Sequence, residues 1–332
     1  MESATFAPVD GVRLEIRGSR RTLRHYRAEY GRTAVAGGAP PDLVLSFQSL
    51  TGPPMLQGGH KGLRWRIALS PPAAAPIEAT VALGGEPRSF GLSLLQGYVI
   101  EPLLGVVAAE RERVLLPGAA IEVGGRALLV LGRSRSGKSS VTALAAARGL
   151  PVLGDDHVVL GTDGGCSPFP RRLRLYPDIR LTAPAAYARL GGGDRARLHG
   201  LAAVRRATRG LVAPPLRVPV EALGSRASTL PLGRIVVVER RAAPEPEPEP
   251  VTLGLRELVA AAGSILGEQR RSLDTLSDRQ WLERIERARA AEDSLLERAF
   301  AERSPATLLV VPADWDATRT VGRLASELGL PN

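Results

Sequence analysis

Apolar and polar side chains alternate along "GVRLEIRG", Gly11–Gly18, as they do in a strand with one face buried. "DLVLSF", "LRWRIAL" and "IEATVAL" are short candidates of the same kind, parted by turn-rich stretches such as "AGGAPPD" and "LTGPP". Residues 1 to about 90 therefore read as β-rich. Helical spacing begins in "SLLQGYVIEPLLGVVAAERER", Ser93–Arg113, where Pro102 is expected to break or kink the helix.

From about Gly118 the pattern becomes an alternation of strands and helices. "AAIEV" and "RALLVLG" read as a strand pair turned at Gly124–Gly125, and "KSSVTALAAARG" as a helix closed by Gly149. "LPVLGDDHVVLG" reads as strand, turn and strand, and "RIVVVER" as a buried strand. Further helices are predicted near Leu253–Leu266, Asp278–Glu302 and Ala317–Leu328, with the strand "ATLLVVP" before the last. Ala243–Pro250, "APEPEPEP", suits only an extended surface loop. The expected organisation is a β-rich domain over 1–92, with a role in substrate holding or assembly, and an α/β domain over 93–332.

Composition narrows the class. The 332 residues are 44% hydrophobic and 23% charged, with one cysteine, Cys166. An intrachain disulfide is excluded, and neither a membrane span nor a signal peptide is expected, which suits a cytoplasmic protein. Net charge is +10, and of 44 basic residues only Lys61 and Lys138 are lysine. Eleven arginines face two acids, Asp178 and Asp194, between Arg171 and Arg217. Either an anion-binding surface or a base-composition bias accounts for that excess. Aromatics are only 4% and do not interleave with the basic runs, so nucleic acid is not an expected partner.

Lys138 stands in the motif G-x-x-x-x-G-K-[ST], formed by Gly132, Arg133, Ser134, Arg135, Ser136, Gly137, Lys138 and Ser139, with Ser140 next. An apolar strand pattern precedes it and a helix pattern follows. Glycines let successive N–H groups curl inward around phosphate oxygens, and the helix N-terminus points at the same anion. Lys138 can reach the β- and γ-phosphates of a nucleotide and Ser139 can offer a hydroxyl to Mg²⁺. A compact ammonium fits such a nest where a planar guanidinium does not, so lysine persists here in an arginine-biased chain. Lys61 has no comparable setting and reads as a turn residue.

Asp155 and Asp156 follow Lys138 by 17 and 18 residues, beyond one helix and one strand. That order puts them at the C-terminal edge of a strand expected to neighbour the loop strand, where α/β sheets bind ligands. One carboxylate can hold Mg²⁺ and the other can accept the proton of an attacking hydroxyl. His157 is expected to point to the opposite face from Asp156 and to be structural. Glu239 is either a second metal or water-positioning group or a surface charge. Arg171, Arg172 and Arg174 either hold phosphates or an acidic substrate, or belong to a solvated loop.

"ALLVLGRSRSGKSSVTALAAARG", "LPVLGDDHVVL" and "SPFPRRLRL", with the upstream "LLQGYVIEPLL" and "LLPGAAIEVGGRA", resemble the C-terminal domain of HPr kinase/phosphorylase and its HPr-kinase-like relatives. The resemblance covers about Ser93 to Leu175. It implies an α/β fold with the P-loop kinase core shared with phosphoenolpyruvate carboxykinase, beside the β-rich N-terminal region. It further implies an ATP-dependent kinase acting on a protein or peptide Ser/Thr hydroxyl. Gly132 to Ser140 would bind the phosphates, Ser139 would ligate Mg²⁺, Asp155 would be the general base and Asp156 would assist with metal. Many relatives carry a histidine where this chain has Pro117 or Gly118, and the later Gly- and Glu-containing signature of true HPr kinases is missing. A substrate other than HPr is therefore expected. Some relatives phosphorylate a precursor peptide. A small-molecule kinase and a non-catalytic nucleotide-binding regulator remain alternatives, and a homo-oligomer is left open.

Overall fold

The computed structural model describes residues 1–210, 213–242, 249–301 and 306–330. The chain is a mixed α/β protein of two compact units, Met1–Leu115 with Leu266–Arg298, and Leu116–Ile265 with Ala299–Asn332. The stretch 93–115, assigned from sequence to the later domain, belongs to the first unit.

The first unit holds a six-stranded sheet. Its strands are β1 (Glu2–Val9), β2 (Val12–Gly18), β3 (Leu43–Phe47), β4 (Leu56–His60), β5 (Leu63–Leu69) and β6 (Ile77–Gly84), in the order β1-β2-β3-β6-β5-β4. β2, β3 and β6 run parallel, and the outer pairings are antiparallel. β1, not expected from its polar start, tolerates Pro8 because an edge strand leaves some N–H positions unpaired. Lys61 occupies the β4–β5 turn with a left-handed φ of 49°, in keeping with its reading as a turn residue.

The helix Arg20–Tyr30 was also missed by the pattern reading. Ser19 caps it by accepting from the Thr22 N–H at 3.3 Å, and Leu23, Tyr26 and Tyr30 form its buried stripe.

The apolar run from Arg88 to Glu110 is helical throughout, but Gln96–Ile100 forms a widened turn between Arg88–Leu95 and Glu101–Glu110. Pro102 lies just after it. Proline has no N–H to give to the carbonyl of Tyr98, and the Ser272 hydroxyl donates to that carbonyl instead. By length and composition this helix could cross a membrane, yet 78% of its apolar window is buried, as in a core helix. The predicted helix Asp278–Glu302 spans Arg279–Phe300, with Asp278 accepting from the Trp281 N–H at 2.9 Å; Glu302 lies outside the described residues.

The second unit is built on β7 (Arg113–Val123, which starts in the first unit), β8 (Arg126–Gly132), β9 (Val152–Gly154), β10 (His157–Gly161), β11 (Gly165–Pro168), β14 (Leu230–Arg241), β15 (Val251–Leu253) and β16 (Ala306–Pro312). The order is β11-β10-β7-β8-β14-β16-β15, with β9 also pairing with β7. β12 (Leu173–Leu175) and β13 (Leu216–Val218) form a separate ribbon. β8, β14 and β16 are parallel and β7 is antiparallel to β8.

The helix Lys138–Ala147 packs one face on Val130, Val236 and Leu324, and another on Leu173, Leu216 and Val218. Burial of every residue from Val141 to Ala147 explains its alanine-rich sequence. Of the expected loop Ala243–Pro250, residues 243–248 lie outside the described residues.

Candidate active site

β8 ends at Gly132, and the chain then turns sharply into the helix Lys138–Ala147. A Cβ on Gly132 would stand 2.8 Å from the Val238 carbonyl oxygen and 2.9 Å from Ser136 Oγ. Arg135 and Gly137 take left-handed φ values of 69° and 94°, and a Cβ on Gly137 would meet Leu324 Cδ1 at 2.8 Å. Arg133, Ser134 and Arg135 are exposed, Ser136 is buried, and Lys138, Ser139 and Ser140 are half-buried in the first helical turn. N–H groups of a first turn have no acceptor within the helix and so face an incoming anion.

Lys138 Nζ folds back onto this loop. It donates to the carbonyls of Gly132 at 2.5 Å and Arg133 at 2.9 Å, and to Ser136 Oγ at 3.2 Å. Burial lowers its pKa, while Asp156 and Asp155 oppose that shift.

The acid pair occupies the turn between β9 and β10. β9 does not neighbour β8, as the sequence reading expected, because β7 stands between them. Two antiparallel steps nonetheless make β9 parallel to β8, so Gly132 and Gly154 end at the same sheet edge. Asp155 is 2% exposed. Its carboxylate accepts from the Ser139 hydroxyl and, through Oδ2, from the Arg174 N–H at 3.1 Å. Burial, then the neighbouring Asp156 charge, push its pKa up to about 7, although Arg171 and the Ser139 bond pull the other way.

Asp156 behaves in the opposite sense. Burial works to raise its pKa, but Arg171, His157, Lys138 and Arg217 together hold it below the ordinary carboxylate range. Arg171 Nη1 donates to Asp156 Oδ2, and Arg174 Nη1 lies 3.1 Å from the same oxygen. Two of the three arginines after the pair thus bind the pair itself and are not in a solvated loop. His157 is not turned away from Asp156: its Nδ1 lies 3.8 Å from Asp156 Oδ2 and 3.3 Å from Arg171 Nη1. Strand alternation begins at His157, so it does not constrain the turn residue before it.

Three contributions escaped the sequence reading. Arg217 faces Arg174 across the β12–β13 ribbon and adds to the field on Asp156. Tyr176, just beyond β12, has its phenol pKa raised by burial and by both carboxylates. Arg240 Nη1 donates to the Arg135 carbonyl at 3.3 Å, and its Nη2 to those of Ala313 at 3.0 Å and Trp315 at 2.7 Å. An arginine closing the strand parallel to the loop strand was the available signal for it. Glu239 is 48% exposed and lies 3.8 Å from Arg241, as a surface charge does.

At Gly118, one of the two positions (with Pro117) where the resemblance implies a histidine, the backbone N–H donates to the Asp156 carbonyl at 3.1 Å. A Cβ there would meet Leu131 Cδ2 at 3.1 Å. The backbone of β7 therefore supports the acid turn without a side chain.

No family model matches the chain, and no curated protein matches it. Among the described residues no group of three or more His, Cys, Asp and Glu side chains is placed to hold a metal ion. The joined oxygen donors are the Ser139 hydroxyl and the Asp155 carboxylate, with Asp156 adjacent. Mg²⁺ takes such hard donors, commonly one or two carboxylates completed by water and phosphate oxygens. The donor chemistry fits that ion, although Asp156 Oδ2 is engaged by guanidinium groups.

Proposed function

We propose that this protein is an ATP-dependent phosphotransferase of the HPr-kinase-like type, with a P-loop kinase core, acting on a Ser or Thr hydroxyl of a protein or peptide. The observation that carries the reading is Asp155: a buried carboxylate with a pKa near 7, bonded to the hydroxyl that follows the loop lysine.

Loop N–H groups from Gly132 to Ser140 and the Lys138 ammonium hold the nucleotide phosphates. Lys138 has three acceptors within the loop and exchanges them for phosphate oxygens. Asp155 removes the proton of the acceptor hydroxyl as its oxygen bonds to the γ-phosphorus. The bond from that phosphorus to the β,γ-bridging oxygen breaks, and ADP leaves with the electron pair. A pKa near the working pH suits Asp155 to take up this proton and release it afterwards. Arg171 and Arg174 keep Asp156 ionised and orient the turn. When bound through Ser139 and Asp156, Mg²⁺ would neutralise charge on the β- and γ-phosphates.

Incubation of the protein with γ-labelled ATP and an extract of its source cell is expected to label a protein or peptide on Ser or Thr. Labelling of metabolites alone would point to a small-molecule kinase, and nucleotide binding without transfer to a regulator. Lys138→Ala should abolish nucleotide binding; unchanged Mg-ATP affinity would remove the basis of the proposal.

A further inference from the structure

The first unit contains a cavity of about 710 Å³, within the usual range for a small-ligand site. Its walls combine apolar surface, including Pro41, Pro76 and Val107, with the charged residues Arg13, Asp42, Glu110, Arg111 and Arg284. Two of the three cations are neutralised in place. Arg111 Nη2 lies 2.7 Å from Asp42 Oδ1, and Arg284 grips Glu110 through two bonds of 2.7 and 2.8 Å.

Arg13 differs. Its Nη1 donates to the carbonyls of Gly37 at 2.8 Å and Ala39 at 3.1 Å, and no carboxylate side chain pairs with its guanidinium among the described residues. Gly37 and Gly38, at φ 65° and 96°, wrap the chain around it so closely that a Cβ on Gly38 would lie 2.9 Å from Nη2. The Asp42 carboxylate accepts from the Arg13 backbone N–H at 2.8 Å but pairs its charge with Arg111, so the Arg13 guanidinium is held by neutral acceptors, without a carboxylate ion-pair partner among the described residues. Preorganised cations of this kind suit carboxylate or phosphate, and the proline-rich walls suit an apolar body.

We propose that this cavity binds a small organic anion carrying one carboxylate or phosphate on an apolar body, with Arg13 as the anion anchor. The site lies wholly in the first unit and stands independently of the phosphotransferase reading.

Dansylglycine, an apolar fluorophore with one carboxylate, tests the proposal against uncharged dansylamide. Fluorescence titration of the full chain should show saturable binding of one dansylglycine per chain, at least tenfold tighter than dansylamide. Arg13→Gln should erase that preference. Because Arg13 also braces the 37–39 loop, Ala75→Phe supplies a second variant: it fills the cavity wall and should weaken both probes while leaving Arg13 in place. Lys138→Ala and saturating ATP should leave the titration unchanged. Non-saturable binding, equal affinity for the two probes, indifference to both cavity variants, or competition by ATP would overturn the proposal.

Discussion

Each unit buries charge, in different ways. In the first, Arg270 and Glu292 are each 2% exposed and meet one-to-one, with Gly105 leaving room for the guanidinium: a Cβ there would lie 3.0 Å from Arg270 Nη2. Burial lowers the Arg270 pKa to about 10, so the guanidinium stays charged through the physiological range. In the second, two consecutive carboxylates share one set of cations, and the sharing is unequal. Asp156 takes the guanidinium groups, whereas Asp155 takes a hydroxyl and an N–H and titrates near neutrality. The Arg270 guanidinium, bonded to Glu292, holds structure and has no proton to exchange at pH 7. In the unequal pair Asp155 has a proton to exchange near neutrality, as its proposed role as a base requires.

The largest effect expected from this contrast is on catalysis. Asp155→Asn should lower phosphoryl transfer by about 10²–10⁴-fold while nucleotide affinity is kept, read by initial rates beside calorimetric ATP titration. Transfer at near-normal rate would mean that Asp155 is not the base. Next, Glu292→Ala should destabilise the protein by about 3–5 kcal/mol, because Arg270 would remain buried without its partner. A loss below about 1 kcal/mol in urea unfolding would show the first pair to be dispensable.

The pH response sharpens the difference further. Asp155 has a folded pKa raised to about 7 from an ordinary carboxylate value, so the folded state binds the extra proton between those limits. Its contribution to stability is fully present below the unfolded pKa and is lost as pH rises through about 7. Wild type should therefore lose stability relative to Asp155→Asn between about pH 4 and pH 7 and change little above that. A parallel dependence in the two proteins would show that Asp155 is ionised throughout. As a base it must be deprotonated, so transfer should rise with pH over the same window.

The smallest effect tests the loop. Gly137→Ala sets an L-residue at φ 94° and a Cβ 2.8 Å from Leu324 Cδ1. It should cost roughly 1–2 kcal/mol from the backbone alone and weaken nucleotide binding. Unchanged thermal midpoint and affinity would show that the loop tolerates another conformation.

Local chemistry explains which parts of the site were legible in the chain. Glycine spacing, one retained lysine and the Asp155–Asp156 dipeptide express backbone and charge requirements that act within a few residues. Strands β2, β3, β5 and β6 of the first unit showed in the same way, through alternation on a half-buried face, whereas β4, with Gly58 and Gly59 at its centre, did not. β1 hid behind polar residues and an edge proline, and the helix Arg20–Tyr30 behind its arginines, although its Ser cap and Leu23–Tyr26–Tyr30 stripe were present.

By itself the sequence determined the loop, its lysine, the acid pair and the mixed α/β alternation, since each depends on side-chain type and near-neighbour spacing. Only the tertiary structure decided that β7 separates β9 from β8, that Arg171 and Arg174 close on Asp156, and that Arg240 holds the Arg135 carbonyl. It also decided which aspartate carries the raised pKa. The two are chemically identical neighbours, and desolvation and the placement of cations from distant strands, which set them apart, exist only once the chain has folded.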